Sequence, residues 1–136
     1  MEDTFMNAQQ ADEILDTCSG VFDSVAATYG LHLNRNDHFE GVNRVLKWTD
    51  GPLLKAIAVE FTYSEKPSFE ITIKAFNRIE LLLCRYGGVL RHAIPLRQWY
   101  RRYAQVELPQ DVEHLESLIK NAYQELRCIG TSSLRA

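Results

Sequence analysis

The residues best equipped for chemistry crowd into one stretch, CRYGGVLRHAIPLRQWYRRYAQ, residues 84–105. It holds Arg85, Arg91, Arg97, Arg101 and Arg102, interleaved with Tyr86, Trp99, Tyr100 and Tyr103, and it contains no acid. Guanidinium groups grip carboxylates or phosphates in bidentate fashion, and Trp and Tyr supply large, stiff anchors at low entropic cost. Such a stretch suits a nucleic acid, an acidic protein surface, or an outer sheet face whose stems and rings cover apolar neighbours. The acidic pI near 5.8 and the presence of only five lysines argue against nucleic acid, which rewards a broad basic field. A plain sheet face and a protein-binding surface both remain; if the stretch is an interface, the expected partner is another protein, with Arg97, Trp99, Tyr100, Arg101 and Arg102 as its contact patch.

A second candidate surface has the opposite sign. The formal charge of −3 conceals two opposed regions: residues 1–23 carry six acids and neither Lys nor Arg, whereas residues 78–102 carry six Arg against Glu80 alone. Asp12, Glu13, Asp16 and Asp23 fall opposite the apolar stripe of the first element. Exposed there, they would steer a basic partner into contact.

Catalytic chemistry finds little support. The seven glycines form no GxGxxG and no GxxxxGK[ST], and neither a GxSxG elbow nor an HExxH occurs. His32, Asp37 and His38 could approach one another around a polar loop, as metal ligands or simply as solvated side chains. His92 lies in the basic stretch without an evident nucleophile or acid–base partner. The three cysteines, Cys18, Cys84 and Cys128, have no metal-site spacing and each lies on an apolar stripe, which predicts buried thiols in a reducing, cytoplasmic setting. Cys84 would serve as a nucleophile only if exposed. The reading leans away from an enzyme and assigns no cofactor and no metal.

These residues must be positioned by helices at both ends and strands between. Ala11, Ile14, Leu15, Cys18, Val21, Phe22, Val25 and Tyr29 recur at helical steps and Gly30 closes the run, predicting one N-terminal helix. The period then changes to two in HFEGVNRVLKW, LLKAIAVEFTY and SFEITIKAF, separated by the turns TDGP and SEKP. IELLLCRY reads as a fourth strand, with a short helix as the alternative, and VLRHAIPL as a fifth. RQWYRRYAQ is an edge strand or a helical turn. Val112, Leu115, Leu118, Ile119, Ala122, Leu126 and Ile129 mark a C-terminal helix, and 131–136 a frayed tail. The expectation is a single α+β domain over residues 1–136. It is a two-layer sandwich in which both helices cover the same face of an antiparallel sheet of three to five hairpin-linked strands. No apolar run has the length to cross a bilayer, and the acidic N-terminus is not a secretory signal.

A small, acidic, one-domain α+β chain without catalytic motifs resembles the cytoplasmic immunity proteins with which bacteria neutralise toxins. It is also similar in size and element order to the small dimeric chaperones of type III secretion. The first resemblance implies a non-catalytic inhibitor of a toxin or effector. The second implies a homodimer with exposed apolar patches for a client. An enzyme or nucleic-acid-binding protein without a short motif is the remaining alternative.

Overall fold

The structure, a computed structural model, describes residues 7–36, 42–62, 68–93 and 95–135, without the side chains of Leu90 and Arg91. Asp37 and His38 of the metal alternative, the turn at 64–67 and the Arg91 side chain lie outside the described residues.

The first amphipathic stretch folds as two helices, α1 (Ala8–Thr17) and α2 (Ser19–Tyr29). Asn7 starts α1 with a reciprocal cap: its side chain accepts from the Gln10 N–H at 2.8 Å, and the Gln10 amide accepts from the Asn7 N–H at 3.0 Å. The break falls at Cys18. There the Thr17 hydroxyl bonds back to the Ile14 carbonyl at 2.6 Å, and Ser19 and Gly20 follow, both weaker helix formers than Ala or Leu. Gly30, at φ 68°, ends α2 in the left-handed conformation that glycine adopts without penalty.

Five antiparallel strands then form one sheet in sequence order: β1 (His32–Arg35), β2 (Asn43–Asp50), β3 (Leu53–Thr62), β4 (Ser68–Asn77) and β5 (Gln98–Val106). Period-two patterning sends Leu46, Ile57, Ile71 and Ile73 to one face, where they are almost wholly buried. α1, α2 and α4 (Val112–Arg127) cover that face with Leu15, Phe22, Leu115, Ile119 and Leu126 in a single core. The expected two-layer α+β sandwich is present, and its α4 stripe narrows to Leu115, Ile119, Ala122 and Leu126, with Leu118 only half-buried. Lys55 lies among these apolar residues, fully buried. Its ammonium reaches Asp50 at 2.8 Å and the Arg127 carbonyl at 3.2 Å, at the negative end of the α4 dipole.

Six sequence-based expectations are corrected. The single N-terminal helix is two, α1 and α2. The tail is not frayed: Thr131–Ser133 form a 3-10 turn, Leu134 is buried and Arg135 pairs with Gln98 through two backbone hydrogen bonds. IELLLCRY is not a strand but α3 (Arg78–Tyr86): Asn77 caps it by accepting from the Glu80 N–H at 2.9 Å, and Ile79, Leu82, Leu83 and Tyr86 repeat at helical, not alternating, steps. VLRHAIPL is not a fifth strand; Gly88–His92 form a 3-10 turn, and the fifth strand is the RQWYRRYAQ segment. LHLNRND, read as a loop, supplies the edge strand β1. The cysteines are not uniformly buried: Cys18 is, Cys84 is partly exposed and Cys128 is exposed.

Candidate protein-docking surface

Among the described residues, α3 carries most of the large apolar side chains that face outward. None of its nine residues is buried, and Ile79, Leu82, Leu83 and Tyr86 are 65, 57, 37 and 76% exposed. Val89, in the 3-10 turn that follows, is 86% exposed. Beside the ridge runs an open groove of about 510 Å³, floored by Pro52 and Leu54 and walled by Ile79, Leu82 and Tyr86.

The helix is held in this position by its first turn. At its start, the Arg78 N–H donates to the Pro52 carbonyl at 2.8 Å and the Arg78 guanidinium to the Gly51 carbonyl at 3.0 Å, tying α3 to the β2–β3 turn. Gly51, at φ 57°, makes that turn. Across its first turn, Glu80 clamps the approach to β5: its carboxylate accepts from the Arg97 backbone N–H and Nε, each at 2.8 Å, and from the terminal nitrogen at 2.6 Å. Hydrogen bonding from the Arg97 side chain holds the Glu80 carboxyl below its ordinary range despite the opposing effect of burial. At the far end Gly87 closes the helix, where any side chain would collide with the Leu83 carbonyl. A nine-residue helix is marginal in water alone. Here its first turn is anchored while its apolar side faces solvent.

The residues singled out in the sequence occupy other places. Arg97, Arg101 and Arg102 do not gather into one patch. Alternation along β5 puts Trp99 and Arg101 opposite core residues Ala75 and Ile73, and Tyr100 and Arg102 on the outer face opposite Lys74 and Thr72. Each arginine is engaged within the chain: Arg97 with Glu80, Arg101 with Glu125 of α4, and Arg102 with Glu70 at 3.4 Å. Trp99 packs half-buried against the core, and Tyr100 is 52% exposed. Arg85, also in the basic stretch, is exposed along the groove.

The acidic face divides likewise. Asp12 and Asp16 both hold Arg44, each at 2.9 Å, and Arg35 at 2.6 and 3.0 Å. Arg44 is buried, so these carboxylates fasten α1 to β2. Burial pushes the Asp12 carboxyl up, but hydrogen bonds from Arg35 and Arg44 outweigh it and hold it below its ordinary value. Glu13 and Asp23 are exposed.

Among the described residues no three His, Cys, Asp or Glu side chains converge as metal ligands, and no helix is long and apolar enough to cross a membrane. The chain matches no protein-family model, no curated protein and no solved structure. The sequence signal for the ridge was the spacing of Ile79, Leu82, Leu83 and Tyr86, which a strand reading of the same segment concealed.

Proposed function

We propose that this chain is a non-catalytic protein-binding domain that docks another polypeptide on the apolar ridge of α3. The observation that carries the reading is the helix itself, anchored through Arg78 and Glu80 of its first turn with Ile79, Leu82, Leu83 and Tyr86 in water. An exposed patch of that kind is the usual mark of a protein–protein contact.

Of the two resemblances, the ridge favours the small dimeric secretion chaperone, which needs an exposed apolar face for its second copy or client. The inhibitor reading of immunity type retains the exposed Glu13 and Asp23 as steering charges. It has less to draw on in Asp12 and Asp16, whose charge is engaged by Arg35 and Arg44. The free thiols, one of them exposed at Cys128, suit a reducing bacterial cytoplasm.

A photo-reactive residue placed at Leu82 in the full chain, with a second placed at exposed Glu113 on α4 as control, tests the reading in cells. A discrete cross-linked protein band from position 82 and none from position 113 is expected. Equal labelling at both, or none at either, would overturn the ridge as a docking surface.

A further inference from the structure

A second cavity opens where the β1 edge of the sheet meets the end of α2, and we propose that it binds a small organic oxyanion: a phosphate monoester or a carboxylate that carries an apolar group. This site shares only Leu54 with the α3 groove, and it stands or falls independently of the docking surface.

The cavity measures about 420 Å³, within the range of small-molecule sites, and is lined by Gly30, His32, Lys47, Trp48, Thr49 and Leu54. Strand register assembles its polar groups. His32 and Lys47 stand directly opposite each other on β1 and β2, and Thr49 follows Lys47 by two residues. All three therefore project from one face of the sheet, the face away from Leu46 and Ile57. Cross-strand neighbours lie about 5 Å apart at Cβ, and alternate residues of one strand about 7 Å apart. An imidazole, an ammonium and a hydroxyl at these spacings can donate together to the oxygens of one phosphate or carboxylate.

Trp48 and Leu54 offer the apolar part of the lining. The Trp48 ring lies 4.9 Å from that of Tyr123, which stacks on Tyr29 at 3.9 Å, so the aromatic wall is fixed before a ligand arrives. Gly30, next along the chain from Tyr29, borders the cavity without a side chain to fill it.

Charge selects an anion. No acid among the described residues lines the cavity. Asp50, the one acid of β2, lies on the other face of the strand and is bound to Lys55 at 2.8 Å. Glu60 and Glu70 share the sheet face with Lys47, but Glu60 pairs with Asn43, four residues along β2 and so roughly 13 Å away. Lys74 stands nearer, across Ala56 from Lys47, and adds a second cation to the same row.

Amide NMR of the full chain titrated with phenyl phosphate tests the site, with benzoate as the carboxylate probe and benzyl alcohol as the uncharged control. Phenyl phosphate should shift the Gly30, His32, Lys47 and Thr49 amides saturably, with a Kd of about 1 mM or tighter. Benzyl alcohol should leave them in place. Benzoate saturating the same amides extends the site to carboxylates, whereas benzoate without effect restricts it to phosphate esters. Lys47→Gln should weaken phenyl phosphate about 10-fold or more, the loss of a charge-assisted hydrogen bond. Thr49→Val, at an exposed position, should keep the melting curve and weaken binding about 3-fold or more. Arg85→Gln, in the α3 groove, should change nothing. No saturation with either anion, equal shifts from benzyl alcohol, unchanged affinity in Thr49→Val, or an equal loss in Arg85→Gln overturns the proposal.

Discussion

Neutralising Asp12 and Asp16 should unfold this protein more readily rather than leave it intact with a blunted surface. The two carboxylates share Arg44, whose side chain is 5% exposed, and its other acceptors among the described residues are neutral: the carbonyls of Asp12 and Asn43 and the Asn36 side-chain oxygen. Removing the partners of a buried charge costs about 3–5 kcal/mol, because the charge is left without compensation. Here the figure belongs at the low end, since the Asp12 and Asp16 side chains are 25 and 47% exposed and partly screened. We expect about 3 kcal/mol for Asp12→Ala with Asp16→Ala, a large share of a typical stability of about 5–15 kcal/mol. Asp12→Ala alone should cost more than Asp16→Ala alone. The decisive step is a third substitution. Arg44→Met removes the buried cation and keeps an apolar stem of similar length, so the triple variant should regain most of what the double lost. Urea unfolding at equilibrium, with an unchanged slope, provides the measurement. A double variant within about 0.5 kcal/mol of wild type, as for an ordinary surface change, would refute the clamp. So would a triple no more stable than the double. The same carboxylate sets a pH dependence. The Asp12 carboxyl titrates below its unfolded value, so the stability it gives is complete above about pH 4 and is lost as the pH falls through the lower folded value. The double variant should show a flatter acid limb.

Three further outcomes follow from the packing. Leu115→Asp, at a position with no exposure in the middle of α4, should abolish cooperative melting, since it buries an unpaired carboxylate against the sheet. Thr72→Val should raise stability by about 1 kcal/mol, because the Thr72 hydroxyl is buried without a hydrogen-bond partner and valine fills the same volume; a loss in urea unfolding would show that the hydroxyl is satisfied. Glu80→Gln should weaken the clamp to Arg97, so the α3 amides lose exchange protection while those of β3 and β4 keep theirs; acidification should do the same, since this carboxyl too is held below its ordinary value.

The sheet and its covering helices were legible because periodicity reports burial directly. Ile57, Val59, Ile71 and Ile73 alternate, and Leu115, Ile119, Ala122 and Leu126 recur at helical steps, so the pattern and the core coincide. β1 escaped because its four residues, His32–Arg35, have little apolar content and gain their strand geometry by pairing with β2, His32 opposite Lys47 and Arg35 opposite Arg44. The break between α1 and α2 escaped because both segments bury residues from one continuous stripe, which a change of helix at Cys18 does not interrupt. Cys128 was read as buried from that same kind of stripe, yet it stands just past the last turn of α4, where the helix no longer faces the sheet.

α3 shows why composition misplaces an element. In IELLLCRY, dense apolar content and short length fit a strand and a helix alike, and an apolar run is ordinarily assigned to the interior. The deciding features are polar and local: Asn77 as cap, Glu80 free to reach Arg97, Gly87 as the stop. They fix a helix in a position where the sheet already has its apolar cover from α1, α2 and α4, so the leucines of α3 have nowhere inside to go. The converse holds for the charges. Asp12, Asp16, Arg97 and Arg101 look like recognition groups in a list of residues, but the fold brings each within reach of an opposite charge and uses it to fasten one element to another. Part of the charged surface read from sequence thus serves as framework, while Glu13, Asp23 and Arg102 stay exposed, and the apolar segment read as a strand is an exposed helix.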